Sequence, residues 1–315
     1  MTPSPPRPPC FVFGALRSGT TMFRLMLNSH AQITNPGEVD FLFDFLHPDP
    51  DHPTGWAYDT GAMARHRIFR AHQLDIPAGS DGLDLLHDLI AQFQGRSDAV
   101  LTLNVHRHAE KIAQLFPGAK FIHLLRDPRD VARSSIGMGW AGNSYYGVRH
   151  WIRTERNWAA ACPHIPPHQV LTLRFENLMT DLEGELHRVC AFLDVPFTLQ
   201  LLEYHRNSTY APPDPKIAEQ WRRKAHPREV ALIEGACGEM LTACGYAPSR
   251  APAHPGRLER GFLLIQNRVV RWRFNLRKFG PALFFKFHFS RHFGSKDMRR
   301  KVRAQMDRKI TEGLK

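Results

Sequence analysis

GALRSGTT, residues Gly14 to Thr21, follows the short apolar run CFVF. Gly14 and Gly19 have the spacing of the phosphate-binding pattern G-x-x-x-x-G-K-[ST], and Thr21 stands at its final hydroxyl. The lysine position instead holds Thr20, and Arg17 stands three residues before it. The preceding run reads as a buried strand over residues 10–14. TTMFRLMLNSH reads as a helix, with Met22, Phe23, Leu25 and Met26 at helical spacing. A strand, a glycine turn and a helix in that order suit an anion, because turn amides and the helix N-terminus point at it together. A strand-to-helix turn with polar caps accounts for the same residues.

Working outward, apolar runs alternate in type. VLTLNV, KFIHLL and QVLTLRF read as strands. GLDLLHDLIAQF, AEKIAQLF, DVARSSIG, HWIRTERNWAAAC and LEGELHRVCAFL read as helices, and FLFDFL after Glu38 as part helix. Residues 50–82 read as loops around one helix. REVALIEGACGEMLTACGY reads as one amphipathic helix ended by Gly245. The alternation predicts an α/β fold with a central parallel sheet, P-loop-like, flanked by helices on both faces. Ligands of such sheets bind at the carboxyl ends of strands. The loops after Phe13, Val105 and Leu125 are therefore expected to share one site.

FIHLLRDPRDVARSS places Arg126 at a strand end and Ser134 within two turns of a helix starting near Pro128. Both can reach one phosphate. A surface ion pair of Arg126 with Asp127 or Asp130 is the simpler alternative. RSGTT after one strand and LRDPRDVARS after a later one together resemble the sulfotransferases that use 3′-phosphoadenosine 5′-phosphosulfate (PAPS). LTLRFENL followed by AFLDVPF, and KIAEQW followed by the closing helix, extend the resemblance over roughly residues 10–248. It lies closer to the tyrosylprotein and bacterial carbohydrate or small-molecule branches than to the cytosolic phenol branch.

The resemblance implies a transferase that moves a sulfuryl group from PAPS to a hydroxyl, or an amine, and releases 3′,5′-ADP. The acceptor is expected to be a small molecule, a carbohydrate (glycan) or a lipid such as a glycolipid. By resemblance, Arg17, Ser18, Gly19, Thr20 and Thr21 hold the 5′-phosphosulfate, and Arg126 and Ser134 hold the 3′-phosphate. Such a loop needs no lysine for β/γ-phosphates and no magnesium ligand. Glu38, in NPGEVDFLF, matches the position of the tyrosylprotein branch's base glutamate. His106, in the tripeptide Asn104-Val105-His106, matches the histidine base of the cytosolic branch's K-x-H. The lysine of that tripeptide is missing, and Arg17, Arg107 or a protonated His106 are its candidate replacements. Phe175 stands where many members have tyrosine. Gln220 stands where a basic residue or serine is common, with Arg222, Arg223 and Lys224 as candidate substitutes.

The chain has 315 residues, 43% hydrophobic, and a formal net charge of +12. Residues 251–315 hold 17 lysines and arginines against four acidic residues, which leaves 25 basic and 26 acidic residues in the first 250. The linker-like SRAPAHPG therefore divides a near-neutral sulfotransferase domain (1–249) from a basic helical C-terminal extension (250–315). In that extension Met298, Val302, Met306 and Ile310 recur at i+4 spacing beside lysines and arginines. This pattern suits peripheral contact with an anionic membrane. Packing on the body or on a second subunit is the alternative; nucleic acid is disfavoured because no binding fold accompanies the charge. No leader or spanning segment is read, and five irregularly spaced cysteines suggest reduced thiols. A cytoplasmic protein, at most at the inner face of the membrane, is expected. His106 and His108 lack the companions a zinc site requires, so no metal is expected. The rivals are a P-loop nucleotide kinase and a PAPS-binding, membrane-associated protein without efficient turnover.

Overall fold

A computed structural model describes residues 8–94, 99–208 and 210–312. The proline-rich start, read above for its lack of a leader, lies largely outside the described residues. The strands are β1 (Cys10–Phe13), β2 (Ile33–Thr34), β3 (Leu46–Pro48), β4 (Trp56–Tyr58), β5 (Val100–Val105), β6 (Phe121–Leu125) and β7 (Val170–Arg174). Five form one parallel sheet in the order β2-β5-β1-β6-β7, and β3 with β4 forms a separate antiparallel ribbon.

β1 is central and wholly buried, which is why CFVF carries no polar residue. Its side chains alternate between two cores. Phe11 and Phe13 pack with Phe41, Leu103, Phe121 and Trp158 on one face. Cys10 and Val12 pack with Phe23, Met26, Leu124 and Leu173 on the other. The register pairs Phe13 with Val105 and with His123, so β1 and β5 end level and β6 runs two residues further. Gly14 follows at once. A Cβ there would stand 2.5 Å from the Leu124 carbonyl oxygen, so only glycine lets β1 leave the sheet at that point.

Three details differ from the sequence reading. Residues 50–82 contain β4 and two short helices, Thr60–Arg65 and Arg67–His72, before the helix Gly82–Phe93 begins. Phe175 opens a helix, Phe175–Thr180, rather than closing a strand. The closing helix is two helices, Pro227–Cys237 and Glu239–Ala243, broken at Gly238 (φ 56°). Apolar periodicity runs through that break because both pieces face the same core, so the pattern alone does not reveal it.

The basic extension forms three helices, Arg257–Phe279, Pro281–Phe293 and Lys296–Glu312. The first lies on the loop after the helix Pro128–Gly137. Asn267 Oδ1 accepts from the Gly142 amide (2.7 Å), and Asn143 Nδ2 donates to the Leu263 carbonyl (2.8 Å). In the last helix Val302 is fully buried and Met298, Met306 and Ile310 are half-buried. The i+4 stripe read as membrane-facing is therefore turned inward. Arg299 Nε donates to the Ser290 carbonyl (3.2 Å), and Lys309 Nζ to the Phe279 carbonyl (2.9 Å), fixing that helix on its neighbours.

Candidate active site

The 14–21 loop is held from outside by its carbonyls. His106 Nδ1 donates to the Gly14 carbonyl (2.7 Å) and His150 Nε2 to that of Leu16 (2.9 Å). Arg126 Nη1 donates to the Arg17 carbonyl (3.1 Å) and Asn104 Nδ2 to that of Thr20 (3.3 Å). Four side chains from three other parts of the fold thus draw the oxygens away from the loop's concave side. Arg17 and Gly19 adopt positive φ (74° and 93°), which turns successive amides the same way, as in an anion-binding nest. The helix Thr20–Asn28 has no side-chain cap. The amides of Gly19, Thr20 and Thr21 make no hydrogen bond to protein among the described residues, and the fully buried Ser18 Oγ also lacks a partner. Unmet donors at the positive end of a helix fit an oxyanion.

Arg17, Arg126 and Ser134 come together. Arg17 Nε donates to Ser134 Oγ (2.9 Å), so Arg17 joins the two loops. The Arg126 guanidinium lies 4.0 Å from the Phe175 ring centroid, and its buried Nε has no partner. Burial lowers its pKa below the ordinary value, but a guanidinium stays charged at any physiological pH. Asp130 Oδ2 lies 4.0 Å from Nη2, so the ion-pair alternative holds in part, but the pair is long and buried rather than on the surface. Asp127 instead binds Arg129 (2.7 Å) and the Trp221 indole (2.9 Å). The aromatic face of Phe175 is used twice, because a Cβ on Gly19 would meet the same ring at 2.5 Å. A cavity of about 190 Å³ lies here, lined by Arg17, Gly19, Thr21, Arg126, Phe175 and Tyr210 among others. A larger cavity of about 810 Å³, between Arg65 and Arg70 and the tail's Phe287 and Arg299, contains none of these residues; size alone does not mark the site.

Glu38 and His106 form the second half. Residues 35–39 run beside β5: Asn35 Nδ2 donates to Asn104 Oδ1 (3.0 Å), and Val39 N donates to the Asn104 carbonyl (3.0 Å). This brings the Glu38 carboxylate, 41% exposed, to 3.7 Å from Nε2 of His106, 4% exposed. Burial opposes a charge on His106, but Glu38 and Asp40 outweigh it and raise its pKa. His106 in turn, with Arg67 and Arg24 adding to it, lowers that of Glu38. Asp40 also accepts from the His106 amide (2.9 Å), and His72 Nε2 donates to the Glu38 carbonyl (3.2 Å).

Of the candidate replacements for the missing lysine, Arg107 is committed elsewhere. It is paired with Asp44; partial burial pushes the Asp44 carboxyl up, but this contact and that of His108 outweigh it and hold it at about 2. The candidate substitutes at Gln220, namely Arg222, Arg223 and Lys224, are turned to Glu219, the Lys216 carbonyl and Gln220. They do not substitute near the loop. Asn35, Asp40, His72 and His150 escaped the sequence reading, because each acts through a partner 30 or more residues away. The only local hint was Asn35 in TNPGE, three residues before Glu38. No group of three or more metal-ligating side chains occurs among the described residues.

The chain as a whole has counterparts among known proteins. The profile described as "Sulfotransferase family" matches residues 8–199, and the chain belongs to that family. Protein-tyrosine sulfotransferase A of Caenorhabditis elegans is 21% identical over 279 residues, 78% of this chain and 69% of that protein. Among solved structures, the sulfotransferase domain from the curacin biosynthetic pathway covers 76% of this chain and 99% of its own (TM-score 0.54, 19% identity). The sulfotransferase domain from the Synechococcus PCC 7002 olefin synthase covers 74% and 96% (TM-score 0.55, 20% identity). Those two likenesses establish the fold. The family sets the nucleotide-kinase reading aside.

Proposed function

We propose that the protein transfers a sulfuryl group from PAPS to a hydroxyl of a small-molecule, carbohydrate or lipid acceptor. The observation that carries this reading is the tethered loop: carbonyls drawn outward, free amides at 19–21, the orphaned Ser18 Oγ, and Arg17 and Arg126 alongside. Ser18, Gly19, Thr20 and Thr21 would hold the 5′ end of the donor, with Arg17, and Arg126 and Ser134 its 3′-phosphate. When bound, PAPS supplies the sulfuryl group, which passes in line to the acceptor oxygen. Glu38, ionised and reachable from solvent, takes the acceptor's proton. His106, charged through its pairing with Glu38, provides the cation that Asn104 does not. The site needs no metal for this chemistry.

Thermal unfolding with 3′,5′-ADP, beside ATP with magnesium and beside an R126A variant, tests the reading. A ligand at 100 times its Kd adds about 2.7 kcal/mol to the folded state, a rise of roughly 4 °C for a protein of this size. That rise with 3′,5′-ADP, unmatched by ATP and lost in R126A, is expected. No rise with 3′,5′-ADP overturns it. One observation favours a second reading, donor binding without efficient turnover: position 104, where the family's lysine neutralises the leaving phosphate, is uncharged and buried. A large gain in sulfuryl transfer by N104K would support it.

A further inference from the structure

The helix Arg257–Phe279 carries an apolar stripe that nothing among the described residues covers. Leu258, Phe262, Ile265, Val269 and Trp272 are 93%, 65%, 64%, 47% and 52% exposed. Their spacing of three and four residues puts all five on one side of the helix. The opposite side is the one that docks, through Leu263 and Asn267. The next helix carries an exposed apolar stripe of its own, Phe285, Phe289 and Phe293 at i+4 spacing, 62%, 56% and 79% exposed. Trp272 and Phe284 touch across the junction, ring centroids 6.2 Å apart.

The charge around this stripe identifies what it faces. At 100° per residue Arg257 and Arg268 flank one side of it, and Arg273 and Arg277 the other. Residues 257–293 hold nine lysines and arginines, all exposed, and one acidic residue, Glu259. Glu259 is already bound by Arg228 (Nε to Oε1, 2.9 Å). A second copy laid on the stripe would bring arginine against arginine with no carboxylate between them. An anionic bilayer supplies apolar depth for the stripe and phosphates for its borders. No helix among the described residues is long and apolar enough to cross a membrane.

We propose that the helices Arg257–Phe279 and Pro281–Phe293 form an interfacial surface that lies on anionic phospholipid, with the stripe inserted and the arginines at headgroup level. This places the sheet domain at a lipid surface and does not depend on which donor or acceptor the active site takes. The test is co-sedimentation of the full chain with vesicles of phosphatidylcholine, with and without phosphatidylglycerol, at low and high salt. Binding is expected only with phosphatidylglycerol, weakening as salt rises. R268E/R273E should weaken it by more than about tenfold, since each cation near such a surface contributes roughly fivefold. F262S/I265S/W272S should weaken it comparably, and F262S/I265S, which spares the Trp272–Phe284 contact, should weaken it while keeping the wild-type unfolding midpoint.

Absence of binding by the wild type, equal binding to both vesicle types, or binding unchanged in these variants would each overturn the proposal. So would concentration-dependent self-association that F262S/I265S/W272S abolishes, which would give the stripe to a second copy. Tighter retention on duplex DNA than on anionic vesicles at equal salt would also overturn it.

Discussion

His106 donates its Nδ1 proton to the Gly14 carbonyl, so in the neutral ring Nε2 presents a lone pair towards the Glu38 carboxylate 3.7 Å away. That arrangement is favourable only if a proton lies on the pair, which is why the two pKa values move apart. Glu38 stays ionised to below its ordinary 4.5, and His106 stays charged to above its ordinary 6.5. If Glu38 is the base and His106 the cation, kcat falls as pH drops through the lowered Glu38 value. It falls again as pH rises through the raised His106 value. A pH profile in which H106N loses the alkaline limb is the expected result; an unchanged limb counts against a charged His106. E38Q should lower kcat by roughly 10²–10⁴-fold and leave the 3′,5′-ADP thermal shift intact. Asn104 works differently, holding the Thr20 carbonyl and the 35–39 segment at once. N104A should cost about 1–3 kcal/mol in urea denaturation, because buried amide partners are left unmet.

At the level of elements, the phosphate loop depends on one close contact between segments far apart in sequence. Gly19 combines a left-handed φ with a Cβ position occupied by the Phe175 ring. G19A is expected to displace the loop and abolish the 3′,5′-ADP shift, whereas S134A, which removes one hydroxyl, should only reduce it. The helix Pro128–Gly137 is locked by a buried network. Arg129, 2% exposed, binds Asp127 and Glu234 at 2.7 Å each and stacks 3.8 Å from the Trp221 ring. R129M leaves two buried carboxylates without their cation. A loss of about 3–5 kcal/mol is expected in equilibrium unfolding. The RDPRD motif thus divides its work. Arg126 faces the cavity, while Asp127, Arg129 and Asp130 fasten the closing segment, Asp130 by accepting the Trp221 amide (2.8 Å).

Across the whole molecule, the helix Arg257–Phe279 meets the rest of the fold through buried Leu263, Phe274 against Gly139, the Glu259–Arg228 pair and a polar seam. The Gly142 amide and the Asn143 side chain are satisfied by the helix Arg257–Phe279, and a Cβ on Gly142 would stand 2.6 Å from the Asn267 Cα. N267L should leave the Gly142 amide buried and unmet, costing about 1–3 kcal/mol. Its unfolding midpoint in a thermal scan checks this. The 3′,5′-ADP shift should survive, since the seam is separate from the loop.

The sequence by itself determined the alternation of strands and helices, the glycine loop after the central strand, and the arginine and serine of the second motif. Each is a local pattern: two-residue or 3.6-residue periodicity, or a residue that only a tight turn admits. Tertiary structure decided the rest. Carbonyl tethers from Asn104, His106, Arg126 and His150 join residues 84 to 134 positions apart, and no spacing rule encodes such pairs. Arg107 and the 222–224 cations fit the sequence as replacements for a lost charge, and packing gave them other partners. The two tail stripes make the point most directly. Met298, Val302, Met306 and Ile310 share a helical period with Leu258, Phe262, Ile265, Val269 and Trp272, yet the first set turns inward and the second outward. Periodicity fixes which residues share a face of a helix; what that face meets depends on which other surfaces the fold brings against it.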